Sequence, residues 1–282
     1  MLFPELFDVL ERARWSMHSD IPWADFDESK ISQHQLHGIK MLAILEWSAM
    51  PTAEMFLRDN QNDTDFSAFI SLWFFEEQKH SLVFIEYLRR FAPSFMPTED
   101  ELAAVRFEFS SAPALDSLAL HFCGEIRLNN WYRCALNYHE EPVIRAILQL
   151  LANDEARHAR SYYKYMERAL KQHGDQARAS FSKVGVLMTN PRMNRAMHPI
   201  NLHVNKDLYP NDTVSGRLPD PAWLTKWLDE EIGFDSAWEA KVERGILQNM
   251  ASLFGETFDG SGSLRTFYKA LTPQFSLSHT HY

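Results

Sequence analysis

A chain of 282 residues with 45% hydrophobic and 23% charged side chains can bury one large core, or one core with an appendage. Its formal net charge of −10 argues against a nucleic-acid partner, and no apolar run reaches the roughly eighteen residues that a membrane span needs. Ten glycines and only short β-branched runs argue against a strand-rich fold, so the expected class is all-α.

The chain opens Met1-Leu-Phe-Pro-Glu5, with no basic segment ahead of an apolar one, so no secretory signal is expected and the expected location is cytoplasmic. Residues 1–30 read as an arm packed on the main body. It starts with a short helix over Glu5–Met17, and Pro22 blocks regular helix through Asp20–Asp27. Trp15 and Trp23 are expected to pack inward. Residues 32–58 read as a helix in which Ala43, Glu46, Trp47 and Met50 share a stripe, and Pro51 is expected to kink or divide it just past Glu46. Glu54 is the competing carboxylate there, in a more polar setting.

Residues 60–65 are turn-forming, and Asp63 to Asp65 offer N-caps for a helix over 66–91. Along it Trp73, Glu77, His80 and Phe84 follow the i, i+4, i+7, i+11 spacing, while Glu76 is expected at the surface or behind the inward groups. Pro93 and Pro97 end that helix, and Thr98-Glu-Asp-Glu101 is a capping box for a short connector. After Pro113, Leu115–Tyr138 reads as a helix centred on Glu125. Glu141-Pro142 opens the next, which runs to His173 with Gly174 as its C′ residue.

Helical character continues to Leu187; residues 190–199 and 204–221 are loop-rich, and 222–254 suggest one or two more helices. His279 and His281 lie in a polar tail and are weak metal candidates. Cys123 and Cys134, eleven residues apart on one helix, are separated by about 16 Å, too far for a disulfide. They read as buried thiols in a reducing compartment rather than a bridge or a metal site.

Two stretches carry chemistry. Glu77-Gln-Lys-His80 and Glu155-Ala-Arg-His158 are both Glu-x-x-His, which puts carboxylate and imidazole on one helix face, about 60° apart. Each lies in an apolar helical stretch and follows, at a similar distance, a helix bearing one further glutamate: Glu46 before the first, Glu125 before the second. The chain therefore reads as a pair of helix hairpins, each giving one Glu and one Glu-x-x-His. Four such helices facing inward make the di-iron or di-manganese box of a four-helix bundle. The expected ligands are Glu46, Glu77, His80, Glu125, Glu155 and His158. Four carboxylates and two imidazoles with open positions suit non-haem iron and oxygen better than zinc. Trp73, Phe74, Phe84, Phe122 and Leu151 are the expected water-excluding lining.

At these residues the chain resembles the soluble acyl-carrier-protein desaturases of the ferritin-like di-iron superfamily. Those enzymes carry Glu-Glu-Asn-Arg-His and Asp-Glu-Lys-Arg-His; here Glu76-Glu77-x-x-His80 and Asp154-Glu155-x-Arg157-His158 match. Met197-His198-Pro199 is similar to a segment after the family's bundle, so the resemblance covers about residues 35–205. It implies a ferritin-like four-helix bundle over 31–204 with additional N- and C-terminal helices, the arm at 1–30 and an extension at 205–282. It implies Asp154 as the partner that orients His80. It also implies two iron ions (Fe2+/Fe3+), dioxygen as co-substrate and an external electron donor such as a ferredoxin. The implied activity is oxidation of an unactivated C–H bond, desaturation of a carrier-bound fatty acyl chain first. By family analogy the assembly is a homodimer.

Departures from the family keep other readings open. Leu128 stands where the family commonly has a threonine. Phe84 occupies the radical-tyrosine position of ribonucleotide reductase small subunits, and Leu151 the additional histidine of para-aminobenzoate N-oxygenases. A di-iron hydroxylase, N-oxygenase or oxidase of a small molecule stays open, as do manganese in place of one iron and a ferritin-like iron-handling protein. Arg89-Arg90 and Arg192–Arg195 are the candidate basic patches for an acidic carrier, or else solvated helix ends.

Overall fold

The computed structural model describes residues 1–103, 105, 112–190, 233 and 236–272. Every regular element among them is helical, as expected for an all-α chain. The order is α1 (Phe3–Ala13), short 3-10 turns at Trp23–Asp25 and Glu28–Lys30, α2 (Gln33–Glu46), α3 (Ala49–Asp59) and α4 (Thr64–Phe91). A 3-10 turn at Pro93–Phe95 follows, then α5 (Glu99–Ala103), α6 (Ala114–Tyr138), α7 (Pro142–His173), α8 (Asp175–Met188), α9 (Ser236–Phe254) and α10 (Ser261–Leu271). No helix of the described residues is long and apolar enough to cross a membrane.

Boundary chemistry accounts for these limits. Ser32 caps α2 in a capping box with Gln35, and the Asp63 carboxylate accepts the Phe66 N–H at the start of α4. The predicted box at α5 forms: Glu101 Oε2 accepts the Thr98 N–H at 2.7 Å and Thr98 Oγ1 accepts the Glu101 N–H at 3.2 Å. Gly174 separates α7 from α8 with φ +51°, a positive φ that glycine adopts without penalty. Pro22 limits its segment to the 3-10 turn at Trp23–Asp25.

The helix expected over 32–58 is two helices, divided at Trp47–Ser48, one turn upstream of Pro51. Pro51 cannot donate to the Trp47 carbonyl and its ring crowds that same group, so the break appears four residues earlier. Pro51 then sits as the third residue of α3, in a first turn where a missing N–H costs nothing. α1 ends at Ala13 rather than Met17, and α10 was not foreseen. Residues 191–199, 204–221, Arg192–Arg195, Met197-His198-Pro199, His279 and His281 lie outside the described residues, as does most of 222–235.

The chain separates into two compact units. The first takes the described residues within Met1–Ser111, Trp131–Asp154 and Met197–Phe234. In it α4 is the central rod, packing on α1, α2 and α3. Phe56, Phe69, Ile70, Phe84, Tyr87, Leu88, Ile144 and Leu148 are fully buried there. Each contributes about 1.5–3 kcal/mol of apolar burial. Glu141, also fully buried, accepts the Val143 and Ile144 N–H groups at the start of α7, and the Tyr87 hydroxyl at 3.1 Å. Burial first, and then that carboxylate, push the Tyr87 phenol far above its ordinary value, so it stays a donor across the physiological range. Arg89 and Arg90 both pair with Glu86 on their own helix, at 2.7 and 2.5 Å.

The second unit takes the described residues within Ala112–Asn130, Glu155–Ala196 and Asp235–Tyr282. Here α8 packs on α9 and α10. Gly185 permits that approach, since a Cβ there would lie 2.9 Å from the Leu264 Cδ2. Arg127, its guanidinium brought down to about 10 by burial, lies 5.7 Å from the Trp238 ring.

No disulfide joins the cysteines. Cys123 is fully buried and Cys134 half-buried. Burial pushes the Cys123 thiol up to about 12, Arg127 pulling slightly the other way, from an ordinary 9.0. The folded value is raised, so the stability gained by keeping this thiol neutral is complete below pH 9 and fades as pH rises towards 12. At pH 8 a chromogenic disulfide reagent is therefore expected to titrate Cys134 alone in the native protein, and both thiols after denaturation. Rapid native labelling of Cys123 would contradict this.

Candidate metal centre

His80 lies fully buried on α4, three residues after Glu77. Its Nε2 is 3.1 Å from Asp154 Oδ2, and the same carboxylate oxygen accepts the Trp15 indole N–H at 2.7 Å. An ionised carboxylate only accepts, so Nε2 carries a proton, and in the neutral imidazole Nδ1 then keeps its lone pair. That Nδ1 stands 3.5 Å from Glu77 Oε2 and 3.7 Å from Glu46 Oε2.

A lone pair facing two carboxylate oxygens is repulsive, and these separations exceed those of a charge-assisted hydrogen bond. They match the spacing of donors that share one cation: ligands about 2.1 Å from an ion lie roughly 3–4 Å from each other. The side chains are buried, with Glu46 8%, Glu77 4% and His80 0% exposed. Ionised groups held so far from water cost several kcal/mol each unless a counter-charge meets them.

The second motif gathers the same residue types, with one contact short enough for a hydrogen bond. His158 Nδ1 is 3.3 Å from Glu155 Oε2 and 3.9 Å from Glu125 Oε2, and all three side chains are buried. In both motifs the Glu-x-x-His spacing brings the glutamate Oε2 next to Nδ1 of its own histidine. Taking one ligand atom from each side chain, Glu46, Glu77, His80 and Glu155 lie within 4.8 Å of one another, and so do Glu77, Glu125, Glu155 and His158. All six expected ligands fall in these groups, and Glu77 and Glu155 belong to both.

Of the lining residues, Trp73, Phe84, Phe122 and Leu151 are buried, while Phe74 is half-buried. Glu54 is exposed on α3 and belongs to neither group. Glu76, for which a surface position was one expectation, is fully buried instead. Packing on a second face of α4 decides this, and a single-stripe reading does not register it. Two contributors were not foreseen as part of the site. Trp15 was expected only to pack, yet its indole bonds Asp154, and the buried Lys79 ammonium donates to its carbonyl at 3.1 Å. Tyr132, fully buried on α6, donates its hydroxyl to Glu46 Oε1. It follows Glu125 by seven residues, a two-turn step that keeps a residue on the same helix face, but nothing in that spacing points to Glu46 as its partner.

Fold and site together define an all-α protein with a buried carboxylate–imidazole cluster positioned to hold metal. Compared with protein-family models the chain matches none, and no curated protein matches it.

Proposed function

We propose that the chain is an oxygen-dependent, non-haem di-iron oxidoreductase of ferritin-like architecture, acting on an unactivated C–H bond, with a carrier-bound fatty acyl chain as the first candidate substrate. The observation that carries this reading is the pair of overlapping ligand groups. Two divalent ions would be held by four carboxylates, Glu46, Glu77, Glu125 and Glu155, of which Glu77 and Glu155 belong to both groups. His80 and His158 would each add one neutral nitrogen. Carboxylate-rich sets with imidazole favour iron or manganese over zinc.

The chain's own residues supply three things. Asp154 fixes the His80 tautomer so that Nδ1 is the ligand atom. Glu46, Glu77, Glu125 and Glu155 bring the negative charge that stabilises a highly charged metal pair. Trp73, Phe84, Phe122 and Leu151 are apolar and buried, which keeps water from a reactive centre. Iron, when bound, supplies the dioxygen and electron chemistry. The substrate class rests on the likeness of Glu76-Glu77-x-x-His80 and Asp154-Glu155-x-Arg157-His158 to the desaturase motifs.

The test is anaerobic loading with ferrous ion, then air, a reductant and acyl-carrier substrates of several chain lengths. Desaturation would convert one –CH2–CH2– unit to –CH=CH–, the two substrate hydrogen atoms, two donor electrons and two protons from solvent reducing one dioxygen to two waters. Mass spectrometry of the acyl chain, together with oxygen uptake, reads it. An oxygenated acyl chain would point to the hydroxylase reading. Iron bound and oxidised with every acyl chain unchanged would remove the desaturase assignment in favour of iron handling.

A further inference from the structure

We infer that Tyr132 is a positioning residue for the metal centre: its hydroxyl engages one oxygen of Glu46, so that the other alone is presented to a metal ion. This rests on the metal reading above.

The two carboxylate oxygens of Glu46 face different partners. Oε1 accepts the Tyr132 hydroxyl, while Oε2 looks towards His80 Nδ1 at 3.7 Å, the ligand side of the imidazole. Glu46 is the last residue of α2, just ahead of the Trp47–Ser48 break, so its backbone is held on one side only by regular helix. A carboxylate there gains from an anchor supplied by another helix. Tyr132 supplies it from α6, fully buried and with its ring edge-on to His80 at 6.4 Å between centroids. A phenol is neutral at physiological pH and gives a single directed hydrogen bond, so it orients the carboxylate without supplying a competing charge.

The device is one-sided in the repeat. In the hairpin order Glu46–Glu77-x-x-His80 and Glu125–Glu155-x-x-His158, the residue seven after Glu125 is Tyr132, and the residue seven after Glu46 is Ala53. Alanine has no group that can bond a carboxylate. Two positions with near-identical ligands would thus differ in how freely one carboxylate can turn. The Glu46 position would be the constrained one.

The experiment uses the full chain, stripped of metal and titrated anaerobically with cobalt(II), whose visible bands report coordination number and geometry. Tyr132→Phe keeps the ring and removes the hydroxyl. It is expected to weaken binding of one of the ions by about tenfold or more, the usual cost of losing a group that orients a ligand. It is also expected to change the band shape as Glu46 becomes able to chelate with both oxygens. In a Glu46→Ala background the same substitution should change neither affinity nor bands further, which separates positioning from packing. Wild-type bands and affinity in Tyr132→Phe, or an equal further loss in the Glu46→Ala background, would overturn the role of Tyr132 and leave the metal reading intact. Failure of the wild-type chain to take up cobalt(II) or ferrous ion would overturn both.

Discussion

Glu77→Ala is expected to abolish metal uptake under conditions in which the wild-type chain binds about two ferrous ions. Glu77 offers a ligand atom to both overlapping groups, so its loss strips a donor from each position at once. Glu54→Ala, on an exposed residue eight positions from Glu46, should load like wild type. Stability supplies an independent check. Metal at about a hundred times its dissociation constant stabilises a folded protein by about 2.7 kcal/mol. For a chain of this size that is a rise in melting temperature of about 5–10 °C. The wild type should show that rise and the variant should not. Without metal the order should tighten or reverse, because the variant has one fewer buried carboxylate to accommodate. Anaerobic titration with metal analysis, and melting curves with and without ferrous ion, read both effects. A Glu77→Ala protein that still loads two ions would refute the shared-ligand geometry.

Asp154 is the second position at which one substitution should be felt widely. Its Oδ2 joins the Trp15 indole and the His80 Nε2, all three side chains being buried. Asp154→Ala removes two hydrogen bonds to a charged acceptor, each contributing about 1.5–3 kcal/mol. The expected loss is about 3–5 kcal/mol, a fall in melting temperature of about 10 °C for a chain of this length. The imidazole would no longer be held in the tautomer that leaves Nδ1 open, so metal affinity should also drop about 10- to 100-fold. Asp154→Asn keeps an acceptor oxygen and should recover part of the stability but little of the affinity. Equal recovery of both would mean that Asp154 only fills space. Calorimetry and the cobalt(II) titration distinguish the two outcomes.

Much of the helical layout was legible because its signals are local. Prolines, capping boxes and a C′ glycine mark ends wherever they fall, and the helices at 64–91, 114–138 and 142–173 begin and end within two residues of where those signals put them. Four of the six clustered side chains, Glu77, His80, Glu155 and His158, were legible for a related reason: Glu-x-x-His fixes two side chains on one helical face before any tertiary structure exists. What was missed depends on contacts between distant segments. Trp15 reaches Asp154 across 139 positions of sequence, and Tyr132 reaches Glu46 across 86. Glu76 is buried by neighbours that no stripe on α4 announces. α10 has five apolar residues in its eleven, no more than the chain's average share, and Leu264 alone is buried. Substrate and electron donor leave no local signature, and they are what the acyl-carrier experiment must supply.

The arm ahead of α2 bears on any attempt to shorten the protein. The Leu2 and Phe3 amides are clasped by Asp65 on α4, the Trp15 carbonyl takes the Lys79 ammonium, and the indole of the same tryptophan steadies Asp154. A trimmed version kept to the ligand-bearing rods would expose those acceptors and donors and free the imidazole they indirectly hold. A miniature of this centre has to carry its first thirty residues along, or replace Trp15 with some other buried N–H donor.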